Sequence, residues 1–149
     1  MQIPNQLYKQ ILENMPICCV DILVQKKGRI LLIRRKNEPE KGKWWVPGGR
    51  ILKGEGLSEA VRRKVKEETG LEIENERFLG VYEYKSDKAC FKDIMNGTHS
   101  IVIVYLVEAL ENQDVKLDET SSDYKWIDMI EEDLDDYIKK ILKDSKIFD

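Results

Sequence analysis

Two adjacent carboxylates, Glu67 and Glu68, lie near the end of the stretch LSEAVRRKVKEETGL, and a glycine-rich run, PGGRILKGEG at residues 47–56, stands directly before it. Paired carboxylates offer hard oxygen ligands of the kind that Mg2+ and Mn2+ prefer. Glycine loses more conformational freedom on ordering than any other residue, so a run of it marks backbone that must come close to something. Projected at about 100° per residue, residues 57–69 carry Leu57, Ala60, Val61 and Val65 as one apolar stripe. Lys64 and Glu68 fall inside that stripe and Glu67 sits at its edge, where a helix that merely packed would place Leu or Ala. A buried carboxylate is costly unless it is paired or holds a cation. Two readings follow. One is a Lys64–Glu68 ion pair at i,i+4 across a partly exposed face; the other is a divalent-metal site beside a backbone carbonyl of the glycine turn.

The surrounding sequence supplies the elements that must position these groups. NQLYKQILENM has Leu7, Ile11 and Leu12 at helical spacing, with Asn5 as the expected N-cap. PICCVDILVQKKGRILLIRRK reads as two strands joined by a tight turn at Lys27-Gly28. KWWVPGG is a short strand ended by its Pro-Gly-Gly turn, and the helix over 58–69 closes at Gly70 in a left-handed cap. Two β-rich segments follow, LEIENERFLGVYEYK and HSIVIVYLVEAL, the second after the turn signal MNGT. DYKWIDM is a last short strand, and EEDLDDYIKKILKD an amphipathic C-terminal helix. Hairpins with a few helices, rather than regular alternation, predict a mixed sheet flanked by helices in one domain over residues 1–149.

Composition narrows the partners. Hydrophobic residues make up 42% and charged residues 36% of the chain, the balance of a well-solvated globule, and the net charge of −3 gives no pull towards nucleic acid. Residues 26–43 are nonetheless rich in Lys and Arg while the tail carries EEDLDDY. A local basic patch in an acidic chain fits a small anionic ligand better than a long polyanion, although a solvated lysine loop would look the same. Cys18 and Cys19 are adjacent in an apolar run and Cys90 is far off, so buried small hydrophobes in a reducing, cytoplasmic compartment are expected in preference to a redox site. No signal-peptide pattern opens the chain, and IVIVYLV is too short to cross a membrane, so no membrane partner is expected.

At this point the residues resemble a known family. The Nudix hydrolase signature is Gly, five residues, Glu, seven residues, Arg-Glu, an aliphatic, any residue, Glu-Glu, any residue, Gly and an aliphatic; here Gly49, Glu55, Arg63, Val65, Glu67, Glu68, Gly70 and Leu71 fall in register. The resemblance implies an α/β (α+β) fold, a Nudix-type α/β/α sandwich with a mixed β-sheet. It also implies that Gly48, through its carbonyl, and Glu67 and Glu68 ligate Mg2+ or Mn2+ to hold a substrate diphosphate. Glu55 and Arg63 would brace those carboxylates.

One fixed position departs: Lys64 stands where the family has its first helix glutamate. A cation there opposes a second metal ion and cannot act as a carboxylate base, so a one-metal site is expected, with the base elsewhere. The GDP-mannose mannosyl hydrolase branch also lacks that glutamate. The chain is similar to that branch in VDILV, RRKNEPEKGKWWVPGGR, FLGVYEY, GTH and LDETSSDYKW. By that resemblance Asp21, Arg35 and Arg50 surround diphosphate and sugar, and attack falls on sugar C1 to release a nucleoside diphosphate. Ser121 replaces the branch's general-base histidine, Thr120 a metal-contacting residue and Ser100 a phosphate-touching tyrosine. Serine is no base unaided near neutral pH, so Glu119 is the expected base, with Asp118 and Asp123 as neighbours. His99, the only histidine, is read as structural, and Trp45 as the one tryptophan of the Trp44-Trp45 pair that faces ligand. The expected activity is hydrolysis of a nucleoside diphosphate-sugar, GDP-mannose being the best single match. The alternatives are an ADP-ribose-type pyrophosphatase attacking phosphorus, a triphosphatase on oxidised nucleotides, and a module that binds nucleotide sugars without turnover. The branch also implies a homodimer, to which an amphipathic N-terminal helix would contribute.

Overall fold

The computed structural model describes residues 2–148. Helix α1 spans Asn5–Asn14, followed by strands β1 (Ile17–Lys26), β2 (Arg29–Arg35), β3 (Trp44–Trp45) and β4 (Gly48–Arg50). Helix α2 (Leu57–Thr69) leads to β5 (Ile73–Ser86), β6 (Thr98–Ala109), β7 (Ser121–Ile127) and helix α3 (Asp136–Ser145). The strands form one seven-stranded mixed sheet in the order β3-β2-β1-β6-β5, with β4 added to β1 and β7 to β2. Only the β1–β6 contact is parallel, in register from Ile17↔Ser100 to Gln25↔Glu108. The expected α+β sandwich is therefore present: α2 closes one face and α3 the other.

Each face has its own core. Val20, Ile22 and Val24 of β1 pack with Leu31 and Ile33 of β2 against Ala60, Val61 and Val65 of α2. Leu23 and the alternate residues Val102, Val104 and Leu106 of β6 turn the other way, onto Ile138, Ile141 and Leu142 of α3. This is the period-2 alternation of a strand buried on both sides.

The hairpin turn at Lys27 (φ 51°) and Gly28 (φ 77°) has both central residues left-handed, the geometry that matches the strands' twist. β1 and β2 pair only at this end, through Gln25↔Ile30 and Lys26↔Arg29. Beyond it they separate, and β4 pairs with β1 and β3 with β2 on the sides that face the gap, while β7 pairs along the other side of β2.

Several local expectations are corrected. Pro4, not Asn5, caps α1; its carbonyl accepts from Tyr8 N (2.9 Å) and no side chain caps the helix. The segment after Trp45 does not simply turn: Gly48–Arg50 is itself a strand, paired with Cys19–Asp21. The C-terminal helix begins five residues later than the acidic run, because the Asp135 side chain accepts from Tyr137 N (2.9 Å) and stops the helix extending backwards. Of the paired thiols, Cys18 is exposed and Cys19 only partly buried, since the start of β1 lies outside both helix-covered cores; Cys90 is exposed as well. Among the described residues no helix is long and apolar enough to cross a membrane.

Candidate active site

The chain brings its glycine turn and its carboxylates together through β4. Gly48 lies opposite Asp21 on β1, and the flanking bond from Ile22 N to Pro47 O (2.8 Å) fixes the register. The Gly48 amide points away from β1 and donates to Glu68 Oε1 (2.8 Å). In an antiparallel strand the carbonyl of a residue points to the same side as its amide, so the Gly48 carbonyl faces α2 and not the β1 ladder. Glycine is obligatory here. A Cβ at position 48 would lie 2.0 Å from Asp21 Oδ1 and 2.4 Å from Val20 O.

Helix α2 supplies the acids. Glu68 is 7% exposed; its Oε2 has only long contacts, to Thr120 Oγ1 at 3.4 Å and Lys64 Nζ at 3.8 Å. Burial raises its pKa, the Lys64 charge and the Gly48 amide acting against that. Glu67 is more open. Burial raises it too, but Lys64 Nζ at 3.2 Å and Arg63 Nη1 at 3.2 Å outweigh burial and hold it below its ordinary value. Arg63 grips Glu55 through two bonds, Nε to Oε2 (2.6 Å) and Nη2 to Oε1 (2.9 Å), and Nη2 also donates to Arg50 O (3.1 Å). That forked hydrogen bond lowers the Glu55 pKa. Glu55 and Arg63 thus tie the glycine loop to the helix.

Whether these groups suit a divalent ion can be judged from Glu68. It is a buried carboxylate with one oxygen satisfied by an amide and the other short of a close partner, beside the Glu67 carboxylate and a backbone carbonyl. Hard oxygens with unfilled acceptor capacity fit Mg2+ or Mn2+. Among the described residues no three acidic, histidine or cysteine side chains form a ready-made cage, so the set amounts to two carboxylates and one carbonyl.

A cleft of about 220 Å³ opens beside this cradle, lined by Tyr8 and Leu12 of α1, Asp21, Arg35, Trp45 and the Gly48–Arg50 backbone. Arg35 enters it because β2 carries an irregularity between Ile33 and Arg35 as it pairs with β7. Its Nε donates to Pro39 O (2.6 Å), which fixes the guanidinium at the wall. The Arg50 guanidinium lies 5.0 Å from the centre of the Tyr8 ring. Asp21 is 8% exposed and accepts from Tyr137 OH (2.7 Å). Burial pushes its pKa up to about 7, the nearby Glu68 charge adding to this while Tyr137 and Arg35 oppose it. Trp45 lies on the cleft with its ring stacked on Tyr137 (5.6 Å, 19°). Trp44 is instead covered by Lys125 Nζ, 4.5 Å from its ring centre.

The loop before β7 is arranged differently from the sequence reading. Glu119 is exposed and does not line the cleft. Its neighbour Asp118 is the acid tied inward: its Oδ1 accepts from Thr120 Oγ1 (2.5 Å), and Thr120 Oγ1 in turn reaches Glu68. Ser121 is buried against Arg35 in the β2–β7 pairing, and Ser100 is buried on β6. His99 lies 3.5 Å from Glu83 at the rim of the sheet, outside the cleft.

Tyr137 was not legible as a site residue. It lies 116 positions from Asp21, and its only sequence signal is a polar-tipped aromatic among the apolar residues of α3. Glu40 was equally silent: it accepts from Tyr84 OH (2.7 Å) and pairs with Lys43 at the cleft wall.

Known proteins resemble this chain in sequence and in fold. A family model for the NUDIX domain matches residues 16–145. The low-salt glycan biosynthesis protein Agl8 of Haloferax volcanii is 31% identical over 141 residues, 95% of this chain and 89% of that protein. The ADP-ribose pyrophosphatase of Methanocaldococcus jannaschii is 35% identical over 114 residues, 76% of this chain and 63% of that one. A MutT NUDIX hydrolase from Burkholderia pseudomallei has a crystal structure that superposes with a TM-score of 0.74 at 28% identity, covering 88% of this chain and 98% of that one. A glycine strand hydrogen-bonded to a helix carboxylate, the forked Arg63–Glu55 tie and these likenesses lead to one conclusion: the chain belongs to the Nudix hydrolase family.

Proposed function

We propose that this hydrolase acts on a nucleoside diphosphate joined to a sugar, with Mg2+ or Mn2+, and that GDP-mannose cleaved at sugar C1 is its best match. The observation that carries the reading is the placement of Arg35 and Arg50 in one cleft whose floor is the Gly48–Gly49 backbone, next to the Glu68 cradle. Two fixed positive charges beside bare backbone suit a diphosphate, whose charge must be met wherever the bond breaks. Glu67, Glu68 and the Gly48 carbonyl would hold a divalent ion, which would add further neutralisation of the diphosphate. Water oxygen attacks C1, the C1–O bond breaks, and the nucleoside diphosphate leaves with the bonding pair, stabilised by both arginines. The water's proton passes to a carboxylate. Asp21, held by Tyr137 with Oδ1 against Gly48, and Asp118, linked through Thr120 to Glu68, are the carboxylates near enough to take it, whereas Glu119 lies at the surface. Trp45, stacked on Tyr137, offers an aromatic edge to the sugar or base. The glycan-biosynthesis name of the Haloferax relative supports a sugar-linked substrate.

The pyrophosphatase relative supports a second reading, attack at phosphorus in ADP-ribose. Hydrolysis of GDP-mannose and ADP-ribose in 18O-labelled water, with products weighed by mass spectrometry, separates the two. Label in free sugar supports attack at carbon. Label in a nucleoside monophosphate or sugar phosphate replaces the first reading with the second.

A further inference from the structure

Lys64 is an unusual lysine. It stands on the apolar stripe of α2 with a side chain only 16% exposed, although an ammonium is strongly hydrated and seldom buried without close partners. Its Nζ lies 3.2 Å from Glu67 Oε2 and 3.8 Å from Glu68 Oε2, and so faces both carboxylates of the cradle. The space it occupies is kept open by the neighbouring strand. A Cβ at Gly49, where φ is +153°, would lie 2.8 Å from Lys64 Cε and 3.2 Å from Nζ. The glycine turn therefore makes room on one side for Gly48 to approach Asp21 and Glu68, and on the other for a lysine to run beneath it.

We infer that the Lys64 ammonium is a built-in cation of this cradle: a permanent positive charge at the Glu67–Glu68 pair that limits the site to one exchangeable divalent ion. The arrangement is selective about which oxygens remain free. Glu67 is shared between Arg63 and Lys64, while Glu68 gives one oxygen to the Gly48 amide and keeps the other only loosely engaged. A single ion therefore enters on the Glu68 and Gly48 side, which is the side of the cleft, and competes with the ammonium for Glu67. A second ion would sit against a like charge at ligand distance, which repels it. With one ion, the remaining charge of a bound diphosphate falls to Arg35 and Arg50. The bland alternative is that Lys64 merely ties two turns of α2 together. That alternative predicts no effect on metal stoichiometry.

The inference rests on the reading of Glu67, Glu68 and Gly48 as the metal cradle and is independent of which substrate bond is cut. Its test is a count of bound Mn2+ by electron paramagnetic resonance, without substrate, on the whole chain and its Lys64→Glu and Lys64→Gln variants. Each is first melted in EDTA to establish folding. The native chain is expected to saturate at one Mn2+ and Lys64→Glu at two. Lys64→Gln, neutral and nearly the same length, is expected to bind its first ion about tenfold tighter or more, because a competing charge at ligand distance is gone. Lys64→Glu should also melt lower in EDTA and recover with Mn2+, since it places three carboxylates together. Two ions on the native chain, or a Lys64→Gln affinity no tighter than native, overturns the inference. If Lys64→Glu fails to fold without metal, the Lys64→Gln affinity decides alone. Failure here leaves the labelled-water result standing, and failure of the substrate reading leaves the count standing.

Discussion

Asp21→Asn is expected to make the protein more stable and less active, and the gain in stability should grow with pH. Asp21 is held at 8% exposure with its pKa moved by burial from an ordinary 3.8 to about 7. A carboxyl whose folded pKa is raised binds its proton more tightly in the folded state, so stability falls as pH rises between the unfolded and folded values and levels off above the latter. At about 1.36 kcal/mol per unit, the shift withdraws up to about 4 kcal/mol once pH exceeds both values. Asparagine never ionises, and its amide oxygen still accepts from Tyr137, so the substitution removes the penalty without orphaning the tyrosine. Urea melts in EDTA at pH 5 and pH 8 read this directly, and the gap between variant and native chain should widen by about 2–3 kcal/mol over that interval. Glu68 is coupled to Asp21, so the variant also relieves the repulsion between the two carboxylates, which acts in the same direction. A gap equal at the two pH values, or a variant less stable at pH 8, would refute the claim that Asp21 is held against its own ionisation. Turnover should fall in the same variant, because the negative charge beside Gly48 is lost.

Three further outcomes are expected. Gly48→Ala puts a methyl against Asp21 Oδ1, Val20 O and Asp21 Cα, two of them backbone atoms or bonded to backbone, and should cost about 3 kcal/mol or more in denaturant melts. Gly54→Ala, with φ +84° and open space, should cost only about 1 kcal/mol, and a reversed order would sink the packing argument. Arg63→Met leaves Glu55, 11% exposed, with the Leu52 amide as its remaining partner; a loss of about 3 kcal/mol and a 10–100-fold weaker Mn2+ affinity are expected by thermal melting and metal titration. Glu119→Gln and Asp118→Asn should differ in turnover, with Asp118→Asn the slower because Asp118 reaches Glu68 through Thr120 while Glu119 lies at the surface. Equal rates would remove both from the proton-transfer step.

The cluster of glycine backbone and helix carboxylates was legible in sequence because its parts are local. Gly48, Glu55, Arg63, Lys64, Glu67 and Glu68 share one short window, and helical periodicity alone reveals charged residues on a buried stripe. The hairpin turn at Lys27-Gly28 and the left-handed cap at Gly70 were legible for the same reason, each being a local backbone demand. What the sequence concealed depends on long-range pairing. Gly48–Arg50 becomes a strand only because β1 is there to receive it, and nothing in its own residues announces that. Tyr137 meets Asp21 across most of the chain, through the docking of α3 on the sheet. The loop before β7 misled because Asp118 and Glu119 are adjacent and chemically alike. Which of them turns inward is set by the Asp118–Thr120 hydrogen bonds, which sequence spacing does not distinguish.

The two sides of the cleft are made of very different material. Its floor is β4 laid on β1, and β1 is bonded to β2, β4 and β6 at once. Its roof is α1, which buries no residue at all and is held by Tyr8 against Arg50 and Phe91 and by a surface pair from Lys9 to Asp93. Amide protons of the floor should therefore exchange only on global opening, while those of the roof exchange through local fluctuation. The same division bears on descent. Substitutions in α1 or in the loop around Phe91 are expected to cost less stability than substitutions in the buried strands beneath, while altering the wall of the cleft. A lineage built on this plan can drift in substrate while its chemistry stays fixed.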